Sequence, residues 1–204
     1  KQKNMRFLLV ITLVFCATLW GQEHKHEIGI NAYYDRVNQD YIKFKGLQKQ
    51  NLLYKGAPSF QITYDYNIST ILFVGSGLGF SKRGFTTENK DYSSSYIQIP
   101  VRFGVEAYRN RYIEVRPYAG GYIGIPLEAS EKIKDNYFSV PVDNDKLDMG
   151  IESGANISFK LNENYMINFI PRMQFGLSSI YQEYYYEKRR NIAFSIGIGI
   201  IRKI

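Results

Sequence analysis

Histidine is the side chain most often used as a general base, and this 204-residue sequence has only two, His24 and His26. Serine- and cysteine-based hydrolases and acyltransferases place a histidine beside the nucleophile to take its proton. With no histidine beyond position 26, those mechanisms lack their usual base, and no catalytic residue is assigned. His24 and His26 offer two imidazoles, but a zinc site needs further ligands and none is evident. The pair reads as a solvated tail, and no metal site is expected. Asp143, Asn144, Asp145 and Asp148 form an acidic stretch without the glycine and closing glutamate of a calcium loop. Gly75, Gly77 and Gly79 miss the third spacing of a dinucleotide-binding loop, and no helical pattern follows them. No cofactor is expected, and the sequence predicts a protein that is not an enzyme.

What such a chain is made of points elsewhere. It carries 18 Tyr, 13 Phe and 17 Gly against a single Cys. Aromatic residues favour strands, and glycine within strands marks bends and close approaches. The mean hydropathy of −0.30 is too low for a bundle of membrane helices. Lys1, Lys3 and Arg6 followed by the apolar run Phe7 to Leu19 read as a secretory signal, too short to span a bilayer as a helix. The domain reading is therefore 1–21 signal peptide and 22–204 one domain. Cys16 falls within the apolar run, which leaves the exported chain without disulfides. Of 26 basic residues the leader takes three, leaving 23 against 19 acidic ones. The basic residues are scattered, with one loose cluster at Lys43, Lys45, Lys49 and Lys55. No nucleic-acid module accompanies them, so the cluster reads as a solvated loop or a surface that meets anionic lipopolysaccharide.

Past residue 22, apolar residues alternate with small or polar ones, the period-two pattern of strands between two environments. Ile97, Ile99, Val101, Phe103 and Val105 share one face, while Gln98, Pro100, Arg102, Gly104 and Glu106 share the other. The same alternation runs through Ile113–Leu127, Leu147–Lys160, Ile167–Leu177 and Ile192–Ile200, the last carrying Ile196 and Ile198 on its apolar face. Glu27–Asp35, Ser59–Tyr66 and Thr70–Lys82 bring the count to eight. Short polar turns are expected at Asn67–Ser69, Arg109–Arg111 and Asn162–Asn164. Longer loops are expected at Arg36–Lys55, Arg83–Tyr92, Ala129–Asp145 and Tyr181–Arg189, with Tyr184, Tyr185 and Tyr186 read as loop or girdle aromatics. Long and short connections alternate, so an up-and-down barrel puts all short turns on one rim, the periplasmic one in outer-membrane barrels.

The uncharged apolar face favours lipid outside. The other face mixes glycine with opposite charges, which suits a narrow lumen, since eight strands leave room only for side chains. The expected fold is all-β: an eight-stranded antiparallel up-and-down transmembrane β-barrel with a filled lumen. Arg102, Arg116 and Arg172 are expected to pair inside with Glu106, Glu114 and Glu152. Tyr66, Tyr108, Tyr112 and Tyr165 are expected to form a periplasmic aromatic girdle. Pro100, Pro117, Pro126 and Pro171 fall inside strands and require bulges or broken pairing. The rival readings are a soluble periplasmic lipocalin-like carrier of an apolar ligand, and a narrow pore.

Laid out this way, the chain resembles the PorT-like family of bacterial outer-membrane β-barrels, within the group shaped like OmpX and the OmpA barrel. The resemblance is carried by Tyr96-Ile-Gln-Ile-Pro-Val101, Arg116-Pro-Tyr-Ala-Gly-Gly121 and Asp148-Met-Gly-Ile-Glu-Ser-Gly154, and covers nearly all of the chain beyond the leader. It implies an integral outer-membrane protein without known catalysis. The family's namesake is associated with a secretion and gliding apparatus, which implies a secretion-apparatus component as a narrower reading. The partners expected are outer-membrane lipid and lipopolysaccharide, the barrel-insertion machinery and a protein reached through extracellular loops, around a monomer.

Overall fold

The structure is a computed structural model describing residues 25–44, 53–87, 90–133, 136–140, 147–178, 181–183 and 187–204. The expected leader, His24, residues 143–145 and the tyrosines at 184–186 lie outside the described residues, as do Lys45 and Lys49. The chain forms β1 (His26–Phe44), β2 (Lys55–Asn67), β3 (Leu72–Thr86), β4 (Lys90–Val105), β5 (Tyr108–Arg109), β6 (Ile113–Ile133), β7 (Asn136–Val140), β8 (Asp148–Lys160), β9 (Tyr165–Gly176), β10 (Tyr181–Glu183) and β11 (Glu187–Lys203). Among the described residues there is no helix.

Eight of these strands are long, and each pairs antiparallel with its neighbour in the order β1-β2-β3-β4-β6-β8-β9-β11. β11 then pairs with β1, from Glu27 opposite Lys203 up to Phe44 opposite Glu187, and closes the barrel. Closure leaves the sheet without a free edge strand along its closed part; in hydrocarbon an unpaired N–H or C=O would cost several kcal/mol.

Local sequence explains the three short turns. The Ser69 hydroxyl accepts from the Ile71 and Leu72 amides, Asn110 Oδ1 from Tyr112 and Ile113, and Asn162 Oδ1 from Asn164 and Tyr165. Short polar side chains that bond their own backbone two or three residues on are strong turn formers. The turns share one rim. The Glu106 amide donates to Ile71 O, Lys160 to Tyr112 O, and Lys203 to Asn164 O, while the Ile204 amide donates to His26 O.

The opposite end corrects the sequence reading. In place of the loops expected at Arg36–Lys55, Arg83–Tyr92, Ala129–Asp145 and Tyr181–Arg189, the described residues of those ranges largely continue the strands. β6 reaches 21 residues and β1 reaches 19, against roughly 9–11 for a membrane-crossing strand. Above the rungs Val37–Lys55, Ser59–Ser81, Gly124–Asp148 and Ile192–Phe175, the wall divides. One flap is β3–β4–β6 with β7 on its edge, and the other is β1–β11 with β10. The isolated bridge of Leu53 to Thr86 links the two sides. Alternating hydropathy fades there, but the backbone still needs hydrogen-bond partners and keeps its ladder.

Each of the four prolines flagged in the sequence lies at a fault in a ladder. The β3–β4 pairs skip from Ser76–Val101 to Gly79–Gln98, leaving Pro100 unpaired on that side, and the Ser76 hydroxyl donates to its carbonyl instead. The β8–β9 pairs lapse between Gly154–Arg172 and Ile157–Phe169, beside Pro171. Pro126 adjoins a bulge that leaves Leu127 as the extra residue opposite Ser95 and Tyr96. Pro117 falls between the end of β4 pairing at Gly104–Tyr118 and its resumption at Tyr108–Val115. A residue without an N–H is tolerated where no partner asks for one.

Candidate functional site

The inner wall is a charged network built on all eight long strands. Arg102, 2% exposed, donates to Asp65 Oδ1 at 2.8 Å, and its guanidinium stands 5.2 Å from the centre of the Tyr118 ring. Arg116 donates to Glu27 Oε2 at 2.5 Å, lies 3.6 Å from Asp65, and covers the Phe73 ring at 4.7 Å. Arg172 sits 3.5 Å from Asp35 and stacks on Tyr33 at 3.9 Å. Arg83 lies 3.6 Å from the same Asp35 and donates to Gln174 Oε1. Near the short-turn rim, Glu114 gathers Lys203 at 2.8 Å, Lys160 at 3.0 Å and Arg109 at 3.3 Å.

The pairing differs from that expected. Arg102, Arg116 and Arg172 take Asp65, Glu27 and Asp35 as their ion-pair partners, carboxylates contributed by β1 and β2 across the lumen. Glu114 meets lysines and Arg109 instead, and Glu152 accepts from Gln174 Nε2 at 2.8 Å. Glu106 joins the network only at its rim, through Arg109, which also reaches Glu114; it is half-buried there, and burial outweighs the arginine and pushes its carboxyl above the usual range. The end away from the short turns is different again. Asp148 is fully buried and held by neutral donors, Asn191 Nδ2 at 2.8 Å and the Tyr122 hydroxyl at 3.4 Å.

Glycines make this crowding fit. A Cβ on Gly197 would run into the ring of Tyr33, and one on Gly75 would run into the Asp65 carboxylate. Bulky inward side chains thus lie across bare backbone on the neighbouring strand. Tyr33, Phe73, Tyr118 and Ile170 form one buried apolar cluster in the middle, and Val37, Ala57 and Ala193 another. Among the described residues, no group of three His, Cys, Asp or Glu is placed to hold a metal ion.

The outer wall is the inverse. Ile99, Val101, Phe103, Val105, Ile196 and Ile198 point away from the barrel and are exposed, Phe103 to 61% and Ile198 to 65%, with Ile97 half-exposed in the same row. At the short-turn rim, Tyr108, Tyr112 and Tyr165 are exposed and Tyr66 is half-buried beside His26, whose ring centre is 5.3 Å away. At the other end of the wall, Arg36 lies over Tyr54 at 5.5 Å, with Phe194 next to that ring.

An apolar exterior around a charged, filled interior is the arrangement of a barrel in lipid, and comparison with known proteins agrees. Ail, the attachment invasion locus protein of Yersinia pestis, superposes with a TM-score of 0.52 at 16% identity over 90% of this chain and 100% of that one. A major outer membrane protein of Thermus thermophilus superposes at 0.50 with 9% identity, over 89% of this chain and 100% of the other. At such identities the likeness is one of fold. No curated protein matches the sequence. The outer membrane protein beta-barrel domain family matches residues 25–182. The chain belongs to that family and is an outer-membrane protein.

Proposed function

We propose that this protein is a non-catalytic, monomeric barrel of structural or interaction type, whose divided far end is the contact surface. In this reading Ile97, Ile99, Val101, Phe103, Val105, Ile196 and Ile198 meet hydrocarbon, and Tyr66, Tyr108, Tyr112 and Tyr165 form the periplasmic girdle. The short turns face the periplasm, as in other outer-membrane barrels. The observation that carries the reading is the one-sided continuation of the strands: β1, β4, β6 and β11 outrun a membrane crossing, and all do so away from the short turns. Sheet built past the bilayer at one end only presents surface to something outside the cell. Lipopolysaccharide is one such partner, met by the cations at that end, among them Arg36 and Lys55, and a protein is another. Membership of the PorT-like group, and with it a place beside a secretion apparatus, is the narrower form of the same proposal. Export by a cleaved leader over 1–21 and assembly by the barrel-insertion machinery complete it.

The two rivals fit less well. A carrier of apolar ligands needs an apolar interior, whereas this lumen is lined by Arg102, Arg116, Asp65 and Glu27. A pore needs a continuous water path, whereas those side chains are 1–4% exposed.

Orientation tests the proposal. In a Cys16→Ser background, Ser93→Cys on the projecting flap should react with a membrane-impermeant maleimide on intact cells. Asn110→Cys in a short turn should react only after the outer membrane is opened. Labelling of Asn110→Cys on intact cells, with Ser93→Cys silent, would reverse the barrel and remove the contact surface.

A further inference from the structure

The outer wall has a notch. On the seam between β1 and β11, Ala32 is a small outward residue among large ones, with Phe60 opposite it on β2 and Ile198 opposite it on β11. The depression encloses about 640 Å³ and runs down the seam past Ile30 and Ile200 to Tyr165 and Arg202 at the short-turn rim. That volume is within the range of sites that hold small molecules, roughly 300–1,000 Å³. Arg202 is exposed and lies 5.9 Å from the centre of the Tyr165 ring. Among the described residues, no carboxylate is within ion-pair distance of it.

We propose that this groove seats one acyl chain of a phospholipid from the periplasmic leaflet, with the lipid phosphate on Arg202. The inference rests on the orientation proposed above, with the short turns periplasmic. From Ile28, opposite Arg202, to Ala32 the groove follows four steps of β1, about 13 Å along the strand at ~3.3 Å per residue, or about 10 Å of depth at a strand tilt of ~35–45°. A single leaflet of hydrocarbon is about 15 Å deep, half of the ~30 Å core. The groove therefore suits the headgroup-proximal two-thirds of one chain as it descends from the interface toward the midplane. The guanidinium presents a planar fork of donors that phosphate accepts bidentately, and Tyr165 sits at headgroup height, where amphipathic rings are favoured. A chain in the notch touches wall on several sides, whereas one elsewhere on the barrel meets a convex surface and makes fewer close contacts.

The test uses the refolded protein in nanodiscs containing phosphatidylglycerol that bears a diazirine in its acyl chain, with photocrosslinks mapped by mass spectrometry. Crosslinks should concentrate on Ile30, Ala32, Phe60 and Ile198. Arg202→Gln should lower the yield there about tenfold, the scale of one hydrogen bond to a charged group. Ala32→Trp, which fills the floor, should remove the concentration, while Ala119→Trp on another outward strand leaves it. Folding of every variant is checked by its heat-dependent electrophoretic shift. Even labelling around the wall overturns the groove while leaving the membrane placement standing; no labelling of the outer wall overturns both. An Arg202→Gln yield equal to wild type overturns the headgroup contact.

Discussion

Along β4, Ile99, Val101 and Phe103 form the outside of the barrel, and Gln98, Arg102 and Gly104, one residue away from each, form the inside. The two walls share a backbone and differ in what solvates them. In a soluble barrel the same alternation would turn the apolar row inward. Here the inward row carries Arg102, Arg116, Asp65 and Glu27, whose cost of leaving water is offset by their mutual contacts. Outside, lipid tails are as apolar as the side chains they touch, so burial there supplies little cohesion. What holds the barrel shut is its ladder, which has no competing water, together with the ions in its middle. The outer wall therefore tolerates apolar exchange and forbids charge, whereas the lumen tolerates nothing that leaves a charge alone.

The sharpest way to break that contrast is to orphan a lumen carboxylate. Arg116→Ala removes the cation between Glu27 and Asp65 and should cost about 3–5 kcal/mol, read from urea unfolding of the refolded barrel in lipid vesicles. A loss below about 1 kcal/mol, the range of an exposed pair, would mean that water reaches the lumen. The converse change acts on the outer wall. Val101→Arg should cost about 2–4 kcal/mol at mid-membrane, and equal folding yield with the parent would contradict the facing of β4. Gly197→Ala puts a methyl against the Tyr33 ring and should cost about 1–3 kcal/mol by overpacking, with Gly197→Ala/Tyr33→Leu recovering much of it. If the single change is neutral, the lumen is looser than its geometry implies. At the rim, Glu106→Gln removes a partly exposed pair with Arg109 and should change stability by less than about 1 kcal/mol.

How much of this is legible in the residues depends on hydrocarbon. Between Ile97 and Val105 the apolar row points out of the barrel, toward lipid in the function proposed here, and the polar row points in, so period two is written in hydropathy and gives strand and facing together. Ser93, Ser94 and Ser95 lie on the same strand, beyond the apolar band, where both faces are polar and the period vanishes; from sequence alone the continuation of β4 to Lys90 accordingly reads as a loop. Arg83 is hidden in the same way, although it lies beside Asp35. The ion pairs are illegible for another reason. Arg102 and Asp65 are 37 positions apart, and Arg116 and Glu27 are 89 apart; which carboxylate faces which arginine is set by barrel closure and stagger, which no local pattern encodes. The prolines can be flagged as faults from sequence, but only the registers locate the gap beside Pro100 and the bulge beside Pro126.

The central claim is tested most directly by single-cysteine spin labels placed in turn at 97, 98, 99, 101 and 103 of the refolded barrel in lipid vesicles, reading collision with oxygen against collision with a water-soluble nickel chelate. The account predicts oxygen-dominated collisions at Ile97, Ile99, Val101 and Phe103, with the inward Gln98 between them reached freely by neither reagent. Nickel-dominated collisions at Ile99, Val101 and Phe103 would show that row to be wetted, and would contradict it.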